Sequence, residues 1–238
     1  MAGFETTRWS LVLAAREQGP AARAALEALC RAYRPAVLAY LRGWGYSRSD
    51  AEDLTQGFFA RLVEKRVHAA ADPLRGRFRV FLRTAVHNYM VSARESAQAA
   101  RRRPAQGEAA VEVDDLPTPV DEHLPERAFE RAYALVVVHR ALRKLRREAD
   151  QAGKRELFDR LQGFLLEPPE RDDYDRIATE TGIRPNTIAV ATHRLRQRLR
   201  ELVREELAET LNDRAGVDAE YEAVVDAMRD GRQARRRG

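Results

Sequence analysis

The sequence predicts an all-α protein, two helical domains joined by an acidic flexible linker. Three observations carry that expectation. Apolar residues recur at helical spacing in almost every segment, no run alternates as a half-buried strand does, and Pro104–Pro125 dissolves into Pro, Gly, Asp and Glu. At 238 residues the chain is long enough for two units that each bury a core.

The first domain is expected over residues 1–103, with helices near Ala21–Trp44, Arg48–Arg66 and Arg77–Arg103. Leu26, Leu29, Cys30, Tyr33 and Val37 mark the buried stripe of the first helix, which makes the single cysteine a core residue rather than a nucleophile. Ser47 or Ser49 caps the second helix, and Asp50, Glu52 and Asp53 in its first turn suit the helix dipole. The linker spans 104–125. The second domain, 126–207, opens with the stripe Leu135, Val138, Leu142, Leu145, resumed at Leu157, Leu161, Phe164 and Leu165 in a helix that Pro168 and Pro169 end. A C-terminal extension, 208–238, carries the stripe Val217, Tyr221, Val224, Met228, expected to cap the second domain, and a tail ending in Arg235, Arg236 and Arg237.

Charge is partitioned among these pieces. Charged residues make up 33% of the chain and the net charge is +5, which favours a polyanionic partner. Eight arginines face one acid between Arg75 and Arg103, whereas eight acids face one arginine between Pro104 and Glu130. A basic helix therefore adjoins an acidic linker. Glu5 and Arg8 beside Trp9 and the lack of a long apolar run argue against a signal peptide, and no segment approaches the roughly 20 apolar residues that span a bilayer. A soluble cytoplasmic protein without membrane insertion is expected.

The segment Tyr174–Arg200 reads as a helix-turn-helix. Ala178 permits close helix approach, Gly182 suits a turn that needs positive φ, and Pro185 suits the first turn of a new helix. Ile188, Leu195, Leu199 and Leu202 give that helix one buried stripe. Asn186, Val190, His193, Gln197 and Arg200 lie opposite, and five arginines without an acid fall between Arg184 and Arg200. Such a helix can enter a major groove while arginines hold phosphates. The competing reading is an ordinary helical hairpin with a solvated arginine face.

A second motif lies in the first domain. Asp50-Ala-Glu-Asp-Leu-Thr-Gln-Gly-Phe-Phe-Ala-Arg-Leu62 sets Leu54, Phe58 and Leu62 on one stripe with Asp50, Asp53 and Gln56 outside. Arg77-Phe-Arg-Val-Phe-Leu-Arg-Thr-Ala-Val-His-Asn-Tyr89 interleaves basic and aromatic groups, a combination suited to unpaired bases and their phosphates. Phe58 and Phe78 are expected in the core; Phe59 and Phe81 stand between core and stacking roles.

With these residues in view, the chain resembles the extracytoplasmic-function class of the sigma-70 family of RNA polymerase sigma factors. The run from Asp50 resembles region 2.2, Arg77–Arg94 resembles regions 2.3 and 2.4, and Asp172–Arg204 resembles region 4. Thr6–Val12 and the extension resemble a longer subgroup. The resemblance implies docking on the clamp helices of core RNA polymerase by Asp50, Asp53, Leu54, Gln56 and Phe59. It implies −10 strand capture by Arg79, Phe81, Arg83, His87, Asn88 and Arg94, and −35 duplex reading by Arg184, Asn186, Thr187, His193, Arg194 and Arg196. Core polymerase and promoter DNA are the implied partners, with room for an anti-sigma or other regulatory protein. Gly57 stands where the common motif has Glu, Phe81 where many members have Trp, and Ala189-Val-Ala191 where polar groups commonly face DNA.

The histidines His68, His87, His123, His139 and His193 share no metal-site spacing with Cys30 or each other, and no phosphate loop or nucleophile triad appears. No metal, cofactor, catalytic residue or enzyme activity is expected. The alternatives are a stand-alone helix-turn-helix regulator and a helical polymerase-binding adaptor.

Overall fold

A computed structural model describes residues 19–64, 78–102, 121, 123–167, 169–170, 172–208 and 216–236, with residues 98–102 and 231–236 described by their backbone alone. The Thr6–Val12 segment, most of the acidic linker, Pro168 and the side chains of the terminal arginines fall outside that set. The described residues are helical without a strand: α1 (Pro20–Gly43), α2 (Arg48–Glu64), α3 (Phe78–Arg102), α4 (Leu124–Gln151), α5 (Arg155–Leu161), a 3-10 turn (Gln162–Leu165), α6 (Asp173–Thr181), α7 (Pro185–Ala208) and α8 (Val217–Arg236). None of these helices is long and apolar enough to cross a membrane.

The described residues up to Val136 together with α8 form one compact unit, and Val137–Ala208 form another. Helix α1 starts at Pro20, whose missing N–H costs nothing at that position, and runs through Pro35. An interior proline costs about 3 kcal/mol. Ala32, Tyr33, Ala36 and Val37 on either side are all at most 4% exposed, and burying a large apolar side chain returns about 1.5–3 kcal/mol each, so the helix continues. Tyr33 stacks on Tyr133 at 5.9 Å and meets the edge of Phe78 at 5.3 Å, while Tyr40 packs against Phe129. Gly43 permits the end of α1 to meet α4 backbone to backbone: a Cβ there would stand 2.7 Å from Pro125 Cα.

Ser47 caps α2, its Oγ accepting from Asp50 N–H at 3.2 Å. Phe58 and Leu62 are buried as expected, and Phe78, Leu82, Val86 and Met90 supply the inward stripe of α3. Asp121 opens α4 by accepting from His123 N–H at 2.9 Å; that bond, with Arg127 beside it, holds the carboxyl below its usual range.

Two expectations are corrected. The stripe that resumes at Leu157 does not belong to the helix carrying Leu145: Gly153 adopts φ 66°, Lys154 N–H returns to Ala149 O at 2.8 Å, and a new helix begins at Arg155. Apolar spacing alone cannot register that break, because buried residues continue on both sides of it, Leu145 and Ala149 before and Phe158 and Leu161 after. The extension, expected on the second domain, belongs to the first unit instead. Glu220 is 1% exposed and pairs with Arg79, a charge pairing that an apolar stripe does not advertise.

In the second unit Leu161, Ile177 and Ile188 form the centre, with Phe164, Tyr174, Ile183 and Leu195 packed around them. Gly182 takes φ 69° and its N–H reaches Ala178 O at 2.9 Å, which ends α6; α7 begins three residues later. Arg160 joins α5 to α6 through Glu180 at 2.7 Å.

Candidate functional site

Helix α2 has two faces. Asp50, Asp53 and Gln56 are exposed and Leu54 and Phe59 are half-buried, so all five residues expected to dock a partner keep accessible surface. Phe58 and Leu62 turn toward α3. Between them and α3 lies an open pocket of about 260 Å³ lined by Phe58, Arg61, Leu62, Phe81, Thr84, Ala85, Asn88 and Tyr89. Phe81 tilts against Phe78 at 5.8 Å, Tyr89 meets Phe58 edge-on at 5.8 Å, and the Arg61 guanidinium lies 5.8 Å from the Tyr89 ring. A planar group entering it meets aromatic faces, one cation and the Asn88 amide.

The six residues expected to capture a strand therefore separate. Phe81 and Asn88 line the pocket. His87 and Arg94 sit in a neighbouring aromatic cluster: His87 Nδ1 shares a hydrogen bond with the Tyr40 hydroxyl at 2.9 Å and lies against Trp44, while Arg94 lies 5.6 Å from the Trp44 ring and 5.8 Å from the Tyr46 ring. Burial raises both the Tyr40 and Tyr46 hydroxyls above their ordinary pKa. Arg83 is half-buried and donates to Glu130 at 3.3 Å. Arg79 is the departure. It is 8% exposed and held by Glu130 and Glu220, so its guanidinium serves the interior and is not presented to a strand. Arg61, Tyr89, Trp44 and Tyr46 are absent from the sequence-derived set. A signal was present for Tyr89, which continues the face of Phe81, Ala85 and Asn88, but only packing against α2 shows that this face is a pocket wall.

On α7, Asn186, Thr187, His193 and Arg194 are exposed on one side, together with Val190 at 43%, and Arg184, just before the helix, is exposed as well. Arg196 is set apart from them. Its Nε donates to Phe164 O at 2.9 Å and its Nη2 to Glu167 O at 3.1 Å, closing the carbonyl end of the 3-10 turn. Arg198 is bound by Glu148 at 2.7 Å with Glu201 and Glu205 beside it, which drives its pKa upward. Of the five arginines counted on this segment, Arg184, Arg194 and Arg200 remain exposed. The basic face is thus smaller than the composition implies, and lies toward the start and middle of the helix.

Among the described residues no cluster of three or more His, Cys, Asp or Glu is placed to hold a metal. Burial pushes the Cys30 thiol up to about 11, so it stays protonated near neutral pH.

Residues 29–100 match the family model of sigma-70 region 2. No curated protein and no solved structure matches the chain.

Proposed function

From a chain whose residues 29–100 match sigma-70 region 2, we propose a sigma factor that binds core RNA polymerase and directs promoter-specific initiation in the cytoplasm. The matched residues include both the accessible acidic face of α2 and the pocket between α2 and α3, and this juxtaposition carries the reading. One surface docks polymerase through Asp50, Asp53, Leu54, Gln56 and Phe59. The other takes an unpaired base from the −10 element against Phe81, Tyr89 and Asn88, with Arg61 at its side. Aromatic stacking is worth about 1–3 kcal/mol per base, which suits strand capture after the duplex opens.

The second unit reads the −35 element as duplex. Helix α7 presents Asn186, Thr187 and His193 to the major groove, with Arg184, Arg194 and Arg200 on phosphates, and Val190 supplies an apolar contact of the kind that meets a thymine methyl. The chain performs no chemistry itself; it positions DNA for the polymerase. Multi-round transcription with core polymerase and a pool of genomic promoter fragments tests this. Discrete starts that require the chain are expected. Core binding without starts would favour a polymerase-binding adaptor, and duplex binding without core binding a stand-alone regulator.

A further inference from the structure

Arg79 stands in the first turn of α3, two residues before Phe81, and that turn contains no acid of its own. Its guanidinium is gripped from two other helices. Nε and Nη2 meet Glu220 Oε1 and Oε2 of α8 at 2.5 and 3.1 Å, a bidentate fork, and Nη1 meets Glu130 of α4. Arg83 shares Glu130, so two cations and two acids balance within the cluster. The Arg79 guanidinium also lies 5.6 Å from the Tyr133 ring.

A buried pair of this kind adds little net stability, because desolvation consumes most of the attraction; what it fixes is one arrangement out of several that an apolar contact would tolerate. The fork is planar and sets the orientation of the guanidinium as well as its place. On α3, Arg79 and Arg83 lie one turn apart on one side, whereas Phe81, Ala85 and Asn88 lie on the opposite side, facing the pocket. Helix α8 therefore grips α3 from behind and leaves the pocket uncovered.

We propose that Glu220 is a positioning residue for strand capture: acting through Arg79, the C-terminal helix sets the start of α3 and with it the placement of Phe81 and Asn88. This rests on the proposed function. Its consequence is that the extension belongs to the promoter-opening machinery, separate from core docking and from duplex reading.

The test uses the full chain with core polymerase and a promoter fragment recovered by the transcription assay. Core affinity is read by fluorescence anisotropy and opening by permanganate reactivity of unpaired thymines at saturating holoenzyme. Two variants are compared, Glu220→Ala and the paired apolar replacement Arg79→Met with Glu220→Leu, the second of which decides the matter if the first does not fold. Opening is expected to fall by at least about tenfold in both, with core affinity within about twofold, since a site loosened by a fraction of an ångström loses function before it loses structure. Wild-type opening by the thermally stable paired variant would reduce the cluster to a brace and overturn the proposal. Increased opening would make α8 an inhibitory cover and also overturn it. A wild-type chain that opens no fragment overturns the proposed function itself and takes this inference with it.

Discussion

The Tyr89 hydroxyl fills the space that a side chain at Gly57 would occupy. Helix α2 is thus notched where α3 leans on it, and the ring of Tyr89 forms a wall of the pocket because residue 57 has no Cβ. The tyrosine on α3 thus requires the glycine on α2.

Gly57→Ala should therefore destabilise the first unit by up to about 2 kcal/mol, the usual range for overpacking less the helix-propensity gain over glycine. In a Tyr89→Phe background the clash disappears, and the same substitution should become neutral or stabilise by up to about 1 kcal/mol. Urea denaturation of the four chains gives the coupling directly. Equal effects in both backgrounds would refute the pairing.

Gly43→Ala should cost more than Gly57→Ala, about 2–3 kcal/mol or above, because its new Cβ meets the Pro125 backbone and not the tip of a side chain. Backbone at the start of α4 cannot swing aside. A fall in thermal midpoint smaller than that of Gly57→Ala would show that the α1–α4 contact yields more readily than its geometry suggests.

Arg194 and Arg196, two positions apart on α7, should behave oppositely. Arg196→Ala removes the donors to Phe164 O and Glu167 O and should lower the stability of the second unit by about 1–3 kcal/mol. Arg196→Lys should not restore it, since one ammonium cannot reproduce the fork. Arg194→Ala should leave stability unchanged and, if Arg194 contacts phosphate, reduce the salt dependence of duplex binding by a slope of about 1. Calorimetry paired with a salt titration separates the two; a stable Arg196→Ala chain would contradict the capping role.

Alkaline pH should weaken the first unit through Cys30. Its thiol is raised from 9.0 to about 11 by burial, so the folded chain holds a proton that the unfolded chain releases. Stability from this source is whole below pH 9 and is lost as pH rises toward 11. Tyr40 and Tyr46 shift in the same direction. Cys30→Ala should flatten the decline of the denaturation midpoint over that window, and parallel pH profiles for the two chains would exclude the thiol as its cause.

Much of this protein was legible in one dimension because helix periodicity and turn chemistry act locally. The burial of Leu26, Leu29, Tyr33 and Val37 in α1 and of Phe58 and Leu62 in α2, the Ser47 cap, the positive φ at Gly182 and the opposed faces of α7 all follow from residues a few positions apart. The break at Gly153 was missed because the apolar pattern continues across it. For the site, sequence placed Asp50, Asp53 and Gln56 outside and put Phe81 and Asn88 on the correct helix, but it counted arginines without knowing what each one faces.

By itself, then, the sequence determined most of the helices and the exposed faces of α2 and α7, since each depends on spacing within a single element. Only the tertiary structure decided that Arg79 belongs to Glu220, that Arg196 and Arg198 are bonded within the second unit, that Tyr89 needs Gly57, and that the C-terminal helix sits with the first unit. Charge carries no periodicity that names its partner. A guanidinium on a helix reads the same whether it will meet a phosphate or a carboxylate 141 residues away, and folding alone brings the carboxylate to it.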